Sequence, residues 1–470
     1  MLKLKDGRPI LRAMLTLAIP ISLQNLITFA VSFADNLMIG SLGDTAISAV
    51  YMGTQVQTFL QMVVNGVAMG MLVIVAQYWG KQDLERIRVV AGIAMRIVLV
   101  LGVVVTILSV GFPREILTLL TPGEKSVVDA AIPYLQIVGC SYLFFCVSQV
   151  LIAMLRGVEN AKIGMYVSFG SLISNVFLNW VLIFGHLGFS PMGIRGAAIA
   201  TLISRILEAV AAACYVLLKE KRLCWRVRYV FVPGGQLTRD FIRYGAPVIA
   251  GDFVWGINMF CQSMILGRLP EEAIAATSIM NMMSNMVYVW ITGLCSAVGI
   301  ITGKLVGGGE TEKIRPYARM VQGMFLGVGV VSGLLVYALR HPFISLYNIT
   351  PTAQGYAEQL VALLAVTIVG TCYQMTGLAG LVKAGGDTSF VFKNDTIFVF
   401  LVVLPSAWFA LVSGAPVWVV MACLKCDQIL KCFVAVVKIN RFRWMKNLTI
   451  QEGAGEKGEG EKGAGENERV

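Results

Sequence analysis

The sequence predicts an all-α integral membrane protein, with twelve transmembrane helices in two homologous six-helix lobes related by a pseudo-two-fold axis along the membrane normal. Three observations carry this. Apolar side chains make up 57% of the chain and charged ones only 14%, against roughly a quarter charged in soluble domains. Nearly uncharged runs of the roughly 20 residues that a bilayer crossing needs recur from the first helix to about Asn440. The chain also resembles itself at a fixed offset of 227 residues. The runs are continuous rather than alternating, which favours helices over the strands of a barrel.

In chain order the spans are expected at 14–39, 47–78, 89–112, 127–155, 163–184 and 193–218, and then at 241–266, 273–305, 314–339, 352–382, 390–412 and 416–439. This divides the chain into an N-lobe (1–218), a basic inter-lobe linker (219–239) and a C-lobe (240–446). The tail (447–470) is dominated by Gly, Glu and Lys, too poor in apolar residues to fold, and is expected to be disordered on the cytoplasmic side.

The repeat pairs Pro20 with Pro247, Gly40 with Gly267, Ala49 with Ala276 and Gly66 with Gly293. It holds through a loop, where Gly80, Glu85, Ile87 and Arg88 match Gly307, Glu312, Ile314 and Arg315, and it sets LRGVEN from Leu155 against VKAGGD from Val382. An even number of spans separates partners, so the halves share one orientation, as in transporters that rock two bundles about a central site. The prolines read as kinks and the glycines as packing positions, including the GxxxG pairs Gly66/Gly70 and Gly323/Gly327.

The net charge of +11 suggests nucleic acid until its placement is read. Lys219, Lys221, Arg222, Arg226, Arg228, Arg239 and Arg243 crowd one linker on the side of the N-terminus, whereas the opposite loops hold only Arg114, Lys125, Arg195, Arg268 and Arg340. The positive-inside rule then puts both termini in the cytoplasm of a multi-pass protein of the bacterial inner membrane, with no nucleic-acid partner and no obligate protein partner implied. Lys3, Lys5, Arg8 and Arg12 precede a span without a small-residue cleavage site, so the first helix is expected to be retained.

Enzymatic and cofactor chemistry finds little footing. The ten cysteines lie mostly in apolar spans, where a thiol behaves as a small hydrophobe. Cys423 and Cys426 form a single CxxC inside a helix, and His186 and His341 fall in loops of the opposite side. Gly303-Lys304 is followed by Leu305 rather than Ser or Thr, and no HExxH or GxSxG occurs, so neither ATP-driven pumping by this chain alone nor an enzyme is expected.

An acid inside a span costs at least ~2.5 kcal/mol to insert, which marks it for function. Asp35 in the first span and Asp252 in the seventh qualify, and their repeat partners, Gln262 and Asn25, are uncharged. Asn175 and Asn179 stand one helical turn apart on one face of the fifth span. With Asp35 and the hydroxyl of Thr201 they offer oxygen ligands of the kind hard cations such as Na+ prefer; the same residues equally suit hydrogen bonding between helices. Arg205 with Glu208, and Asp427 with Lys431, read as structural ion pairs. Gln55, Gln61 and Asn65 in the second span, with Met282, Asn285 and Met286 at the matching part of the eighth, are candidates for an adaptable substrate cavity or for ordinary packing.

These motifs together resemble the multidrug and toxic compound extrusion (MATE) family. The resemblance rests on the AIP of the first span with Asp35, the LRGVENAK and LVKAGGDT loops, GIRGAAIATLISR opening the sixth span, and the closing RWMKNLT. It implies an antiporter driven by Na+ or H+, without other cofactor, that exports organic cations and amphipathic drugs through a cleft between two lobes. It further implies an N-lobe cation site at Asp35, Asn175, Asn179 and Thr201, with Asn179 where an acid is usual, and a second acid at Asp252, where Glu is more usual. A lipid-linked oligosaccharide flippase of the same superfamily and a non-transporting receptor are the alternatives. Few Lys or Arg lie in the spans, which favours cationic cargo over the first.

Overall fold

The computed structural model describes residues 8–120, 125–347 and 349–449, and all regular structure among them is helical. The N-lobe begins with α1 (Arg8–Gly40), α2 (Asp44–Lys81), α3 (Leu84–Gly111) and a short α4 (Pro113–Leu120). The fourth span is a pair, α5 (Lys125–Gly139) and α6 (Tyr142–Gly157), bent by 45°. Then come α7 (Ala161–Phe184) and α8 (Ile194–Cys214), the latter prolonged by a π-helical turn, Tyr215–Lys219. The C-lobe runs α9 (Gln236–Leu266), α10 (Glu271–Gly307), α11 (Thr311–Ile344) and α12 (Pro351–Met375), which continues as a π-helix, Thr376–Lys383. α13 (Thr388–Ile397) and α14 (Leu404–Val412) form the eleventh span around another π segment, and α15 (Val417–Lys425) and α16 (Asp427–Asn440) the twelfth, broken at Cys426.

These elements follow the expected spans, because in lipid each backbone N–H must find its partner within the segment. The internal breaks were not legible. At the bend of the fourth span the Thr106 hydroxyl donates to the Gly139 carbonyl (3.0 Å) and Ser141 donates to Val138 (2.6 Å), side-chain intrusions of the kind that interrupt a helical ladder. Helix starts are better marked: Asp83 accepts from the Arg86 amide (3.1 Å) at the head of α3, and Thr350 accepts from Ala353 (3.3 Å) ahead of Pro351.

The two halves meet about the two-fold that the repeat requires. α1 packs on α10 and, as its image, α9 packs on α2. A Cβ on Gly66 would lie 2.9 Å from the Ile249 Cα; its repeat partner Gly293 stands in the same relation to Ser22, the partner of Ile249, at 2.9 Å. Nearer the linker face a Cβ on Gly80 would meet the Lys304 carbonyl at 2.0 Å and one on Gly307 the Gln77 carbonyl at 1.9 Å, again a symmetric pair. Gly70 likewise abuts Gly245, so the first GxxxG is a packing motif. The second is not: Gly323 and Gly327 face open space, on the outer side of α11.

A buried cluster within the N-lobe and another within the C-lobe are joined at this seam by a third, which brings Met14, Leu17 and Ile21 of α1 against Ala297, Ile300 and Ile301 of α10. The basic linker is docked rather than free. Leu223, Trp225, Tyr229 and Val230 are buried in the N-lobe cluster, the Trp225 indole donates to the Arg88 carbonyl (3.2 Å), and the Arg88 guanidinium donates to the Leu223 carbonyl. Packing at the other end runs through Thr449, past the residue where the tail was expected to begin; the rest of that tail lies outside the described residues.

Candidate ion and substrate site

Asp35 projects from α1 toward α7, where Asn175 and Asn179 occupy successive turns of one face and are both fully buried. The Asn179 amide donates to the Asp35 carboxylate and to the Asn175 carbonyl oxygen (3.2 Å). Its own carbonyl oxygen is buried with no hydrogen-bond partner, an arrangement that costs on the order of 1–3 kcal/mol. Thr201, on α8 beside α7, spends its hydroxyl hydrogen on the Ala197 carbonyl (3.0 Å) and keeps its lone pairs free. Three of the four predicted residues are thus in direct contact, and the fourth stands on the adjoining helix.

Two groups belong to the same interior that the sequence assigned elsewhere or left unremarked. Arg205, one turn beyond Thr201, pairs with Glu208 (2.7 Å), lies over the Phe145 ring at 5.0 Å, and is within electrostatic reach of Asp35. Tyr134, from the bent fourth span, is buried and also within reach of that carboxylate. Spacing within α8 betrayed the Arg205–Glu208 pair; nothing in the sequence showed that Tyr134 of α5 packs against Gly53 of α2 in this interior.

Asp252 lies apart from this cluster. Its carboxylate rests against α2 at the inter-lobe seam, 3.4 Å from where a Cβ on Gly66 would stand. The two-fold image of that contact is neutral: Asn25, the repeat partner of Asp252, donates to the Thr292 hydroxyl at 3.1 Å. Beside Asp252 a cavity of about 280 Å³ is lined by Met62, Val63, Ala246, Ile249, Ala250 and Phe253. None of the six predicted cavity residues lines it, although Met62 and Val63 fall between Gln61 and Asn65. Of the six, Asn65, Asn285 and Met286 are exposed, and Gln55, Gln61 and Met282 half-buried.

In the C-lobe, Lys431 holds Asp427 at 3.1 Å as expected and Asp395 of α13 at 2.9 Å, a partner the sequence did not suggest. Gln428 accepts from Thr371 (2.9 Å) and Gln374 (3.1 Å), tying the same helix to α12.

The chain matches the family described as MatE over residues 20–181 and again over 247–409, two stretches that open on the repeat-related prolines Pro20 and Pro247. It belongs to the MATE family. Among relatives, a probable multidrug resistance protein NorM of Photorhabdus laumondii is 25% identical over 398 residues, covering 84% of this chain and 86% of that one. A protein of the same description from Thermotoga maritima is 26% identical over 344 residues, 72% and 73% of the two chains. In fold the chain is similar to a mutant of the Vibrio cholerae MATE transporter VcmN, with a TM-score of 0.83 at 16% identity over 93% of this chain and 98% of that one. A MATE efflux transporter is therefore a multi-pass helical membrane protein here too, and the two-lobed plan read from the repeat is that of its fold neighbours.

The Asp35 cluster offers oxygen atoms of the kind hard cations bind, and the Asn179 carbonyl is one that no hydrogen bond occupies.

Proposed function

We propose that this MATE protein is a cation-coupled antiporter that exports organic cations and amphipathic drugs across the bacterial inner membrane by alternating access of its two lobes, with both termini cytoplasmic. The observation that carries the reading is the Asp35–Asn179 contact. A half-buried acid sits between two helices of one lobe, on a buried amide whose remaining oxygen has no partner. Such a site changes its contacts when a proton or Na+ arrives, and its contacts bear on how α1 sits against α7.

Asp35, Asn175, the Asn179 carbonyl and Thr201 would hold the coupling ion, which supplies positive charge to the carboxylate. Without it, Asp35 is the N-lobe's acceptor for a cationic substrate. Arg205, kept on Glu208, limits how much further positive charge the interior tolerates. Exposed amides at mid-span, Asn65 and Asn285, are better satisfied by water in a cleft between lobes than by lipid, which supports their place on the substrate route. Moving one positive charge out against an inside-negative potential costs ~2.3 kcal/mol per 100 mV, so a downhill ion must be exchanged for it.

The test is efflux of ethidium from proteoliposomes under a Na+ gradient or a pH gradient imposed separately. Flux driven by one gradient and lost in Asp35→Asn is expected. Flux equal to wild type in that variant would sink the coupling role of Asp35. No flux under either gradient from folded protein would instead favour a flippase of the superfamily or a non-transporting receptor.

A further inference from the structure

Gln77 at the end of α2 and Lys304 at the end of α10 are repeat partners, and each reaches across the seam to the repeated loop of the other lobe. Lys304 donates to both oxygens of Glu159 in LRGVEN, at 2.8 Å each, and the Trp79 indole donates to the same carboxylate at 3.2 Å. Gln77, fully buried, is uncharged, and the position in VKAGGD that matches Glu159 is Gly386. The Gln77 amide donates to the Ala384 carbonyl and to the Lys446 carbonyl, both at 3.3 Å, and its oxygen accepts from the Leu448 amide at 2.7 Å. The place of the missing ion pair is thus taken by the segment that follows the last span.

That segment has two differently held halves. Its first half belongs to the C-lobe: the Trp444 ring is fully buried against Gly385, where a Cβ would come within 2.3 Å of it. Here too the Lys446 amide donates to the Gly385 carbonyl (2.8 Å), and the Lys446 ammonium bonds Asp387 (2.7 Å). Its second half reaches the N-lobe, with Leu448 buried in the N-lobe cluster and its amide on Gln77, while one Leu448 methyl still lies beside Gly386 of the C-lobe, 3.2 Å from where a Cβ there would stand.

We infer that residues 444–448 form a strap, carried by the C-lobe, whose Leu448 end latches onto Gln77 to hold the cytoplasmic side of the transporter shut. This rests on the alternating-access reading above. For the cytoplasmic ends of α2 and α10 to part, the contacts of Gly80 and Gly307 must separate, and Leu448 and the Lys446 carbonyl must leave Gln77 at the same time. The Trp444 half can stay with the C-lobe, because the Trp444 indole, the Lys446 amide and the Lys446 ammonium all bond within that lobe and only the Lys446 carbonyl reaches Gln77. Release exchanges the buried hydrogen bonds of Gln77 for water and uncovers the apolar Leu448 side chain, a cost that favours reclosure.

Spin labels at the exposed Glu85 and Glu312, repeat partners in the first turns of α3 and α11, report the separation of the lobes on this face. In reconstituted protein with its free cysteines replaced, Leu448→Ala and Gln77→Ala are each expected to enlarge the long-distance population at least about threefold, and Leu346→Ala, an exposed site on the opposite side, to leave it unchanged. Unchanged distance distributions in both strap variants overturn the proposal. A second measurement joins Gln77→Cys to Leu448→Cys with a short reducible cross-linker. Ethidium efflux is expected to fall at least about tenfold and to return on reduction, and efflux that persists while the link is intact overturns the strap. If the uncross-linked protein shows no efflux under any gradient, the transport reading fails instead, and the distance measurement still decides whether the strap holds the lobes.

Discussion

The Asn179 amide donates to the Asp35 carboxylate while its own carbonyl oxygen, fully buried, meets no donor. One formal negative charge, shared with an amide and faced by the nearby Arg205, makes a weak field for Na+. Asn179→Asp adds a second carboxylate between Asp35 and Asn175 at nearly constant volume. Na+ is expected to stimulate ethidium efflux from this variant at concentrations about tenfold lower than in wild type, the change that ~1.4 kcal/mol of extra attraction gives. Titration of Na+ at fixed pH checks it; an unchanged or weaker Na+ response would remove Asn179 from the ion site.

How much of this was legible in the sequence follows from what leaves a one-dimensional trace. Hydrophobic runs and the 227-residue offset mark spans and the two-fold because both are periodic along the chain. Asn175 and Asn179 could be placed together because one helical turn separates them. The offset also related Asp252 to Asn25, but not that both side chains sit at the seam, since the chain does not state which helix faces which. Asp395 escaped for the same reason: its partner Lys431 lies on another span. Gly323 and Gly327 show the converse, a packing motif by spacing that faces no packed neighbour.

Asp387, in the loop between the tenth and eleventh spans, ties the strap to pH. Burial pushes its carboxyl up, but hydrogen bonds and charge from Lys438 and Lys446, both at 2.7 Å, outweigh that and hold it below the ordinary value of 3.8. A depressed carboxylate contributes stability that is fully present above the unfolded value and is lost as pH falls through the folded one. The strap anchored by Lys446 is therefore expected to keep its melting behaviour from neutral pH down to about 5 and to loosen below the ordinary carboxylate value. In Asp387→Asn it should be loosened at neutral pH, with a flatter acid response. Fluorescence of Trp444 against single-tryptophan controls would follow this, and an unchanged acid profile in the variant would remove Asp387 as its source.

Lys431 lies almost entirely inside the C-lobe, with side-chain exposure of 7% against 11% for Asp427 and 36% for Asp395. Removing the shared cation leaves two acids facing each other, whereas neutralising one acid leaves a pair. Lys431→Met is expected to destabilise most, by about 3–5 kcal/mol as for broken buried pairs. Asp427→Asn should cost less, and Asp395→Asn least, since water screens it. Adding Asp395→Asn and Asp427→Asn to Lys431→Met should recover part of the loss. Thermal unfolding in one detergent ranks the four proteins, and a ranking led by Asp395→Asn would show that exposure does not govern this network.

Gly307 is the strictest packing position at the seam, since a Cβ there would stand 1.9 Å from the Gln77 carbonyl oxygen and nothing flexible lies between. Backbone must yield to admit even a methyl group, and overpacking of this kind costs about 1–3 kcal/mol. Because the clash exists only while α2 and α10 are together, Gly307→Ala is expected to disfavour the state closed at the linker face more than it disfavours folding. Its two-fold image, Gly80→Ala, meets the Lys304 carbonyl at 2.0 Å and should act alike. Gly323→Ala, with nothing within 4 Å, serves as the control and should gain slightly in helix stability. Distances between labels at Glu85 and Glu312 would separate the cases: longer for Gly307→Ala and Gly80→Ala, and unchanged for Gly323→Ala. If all three behaved alike, the close approach of the two helix ends would not be what keeps this side shut.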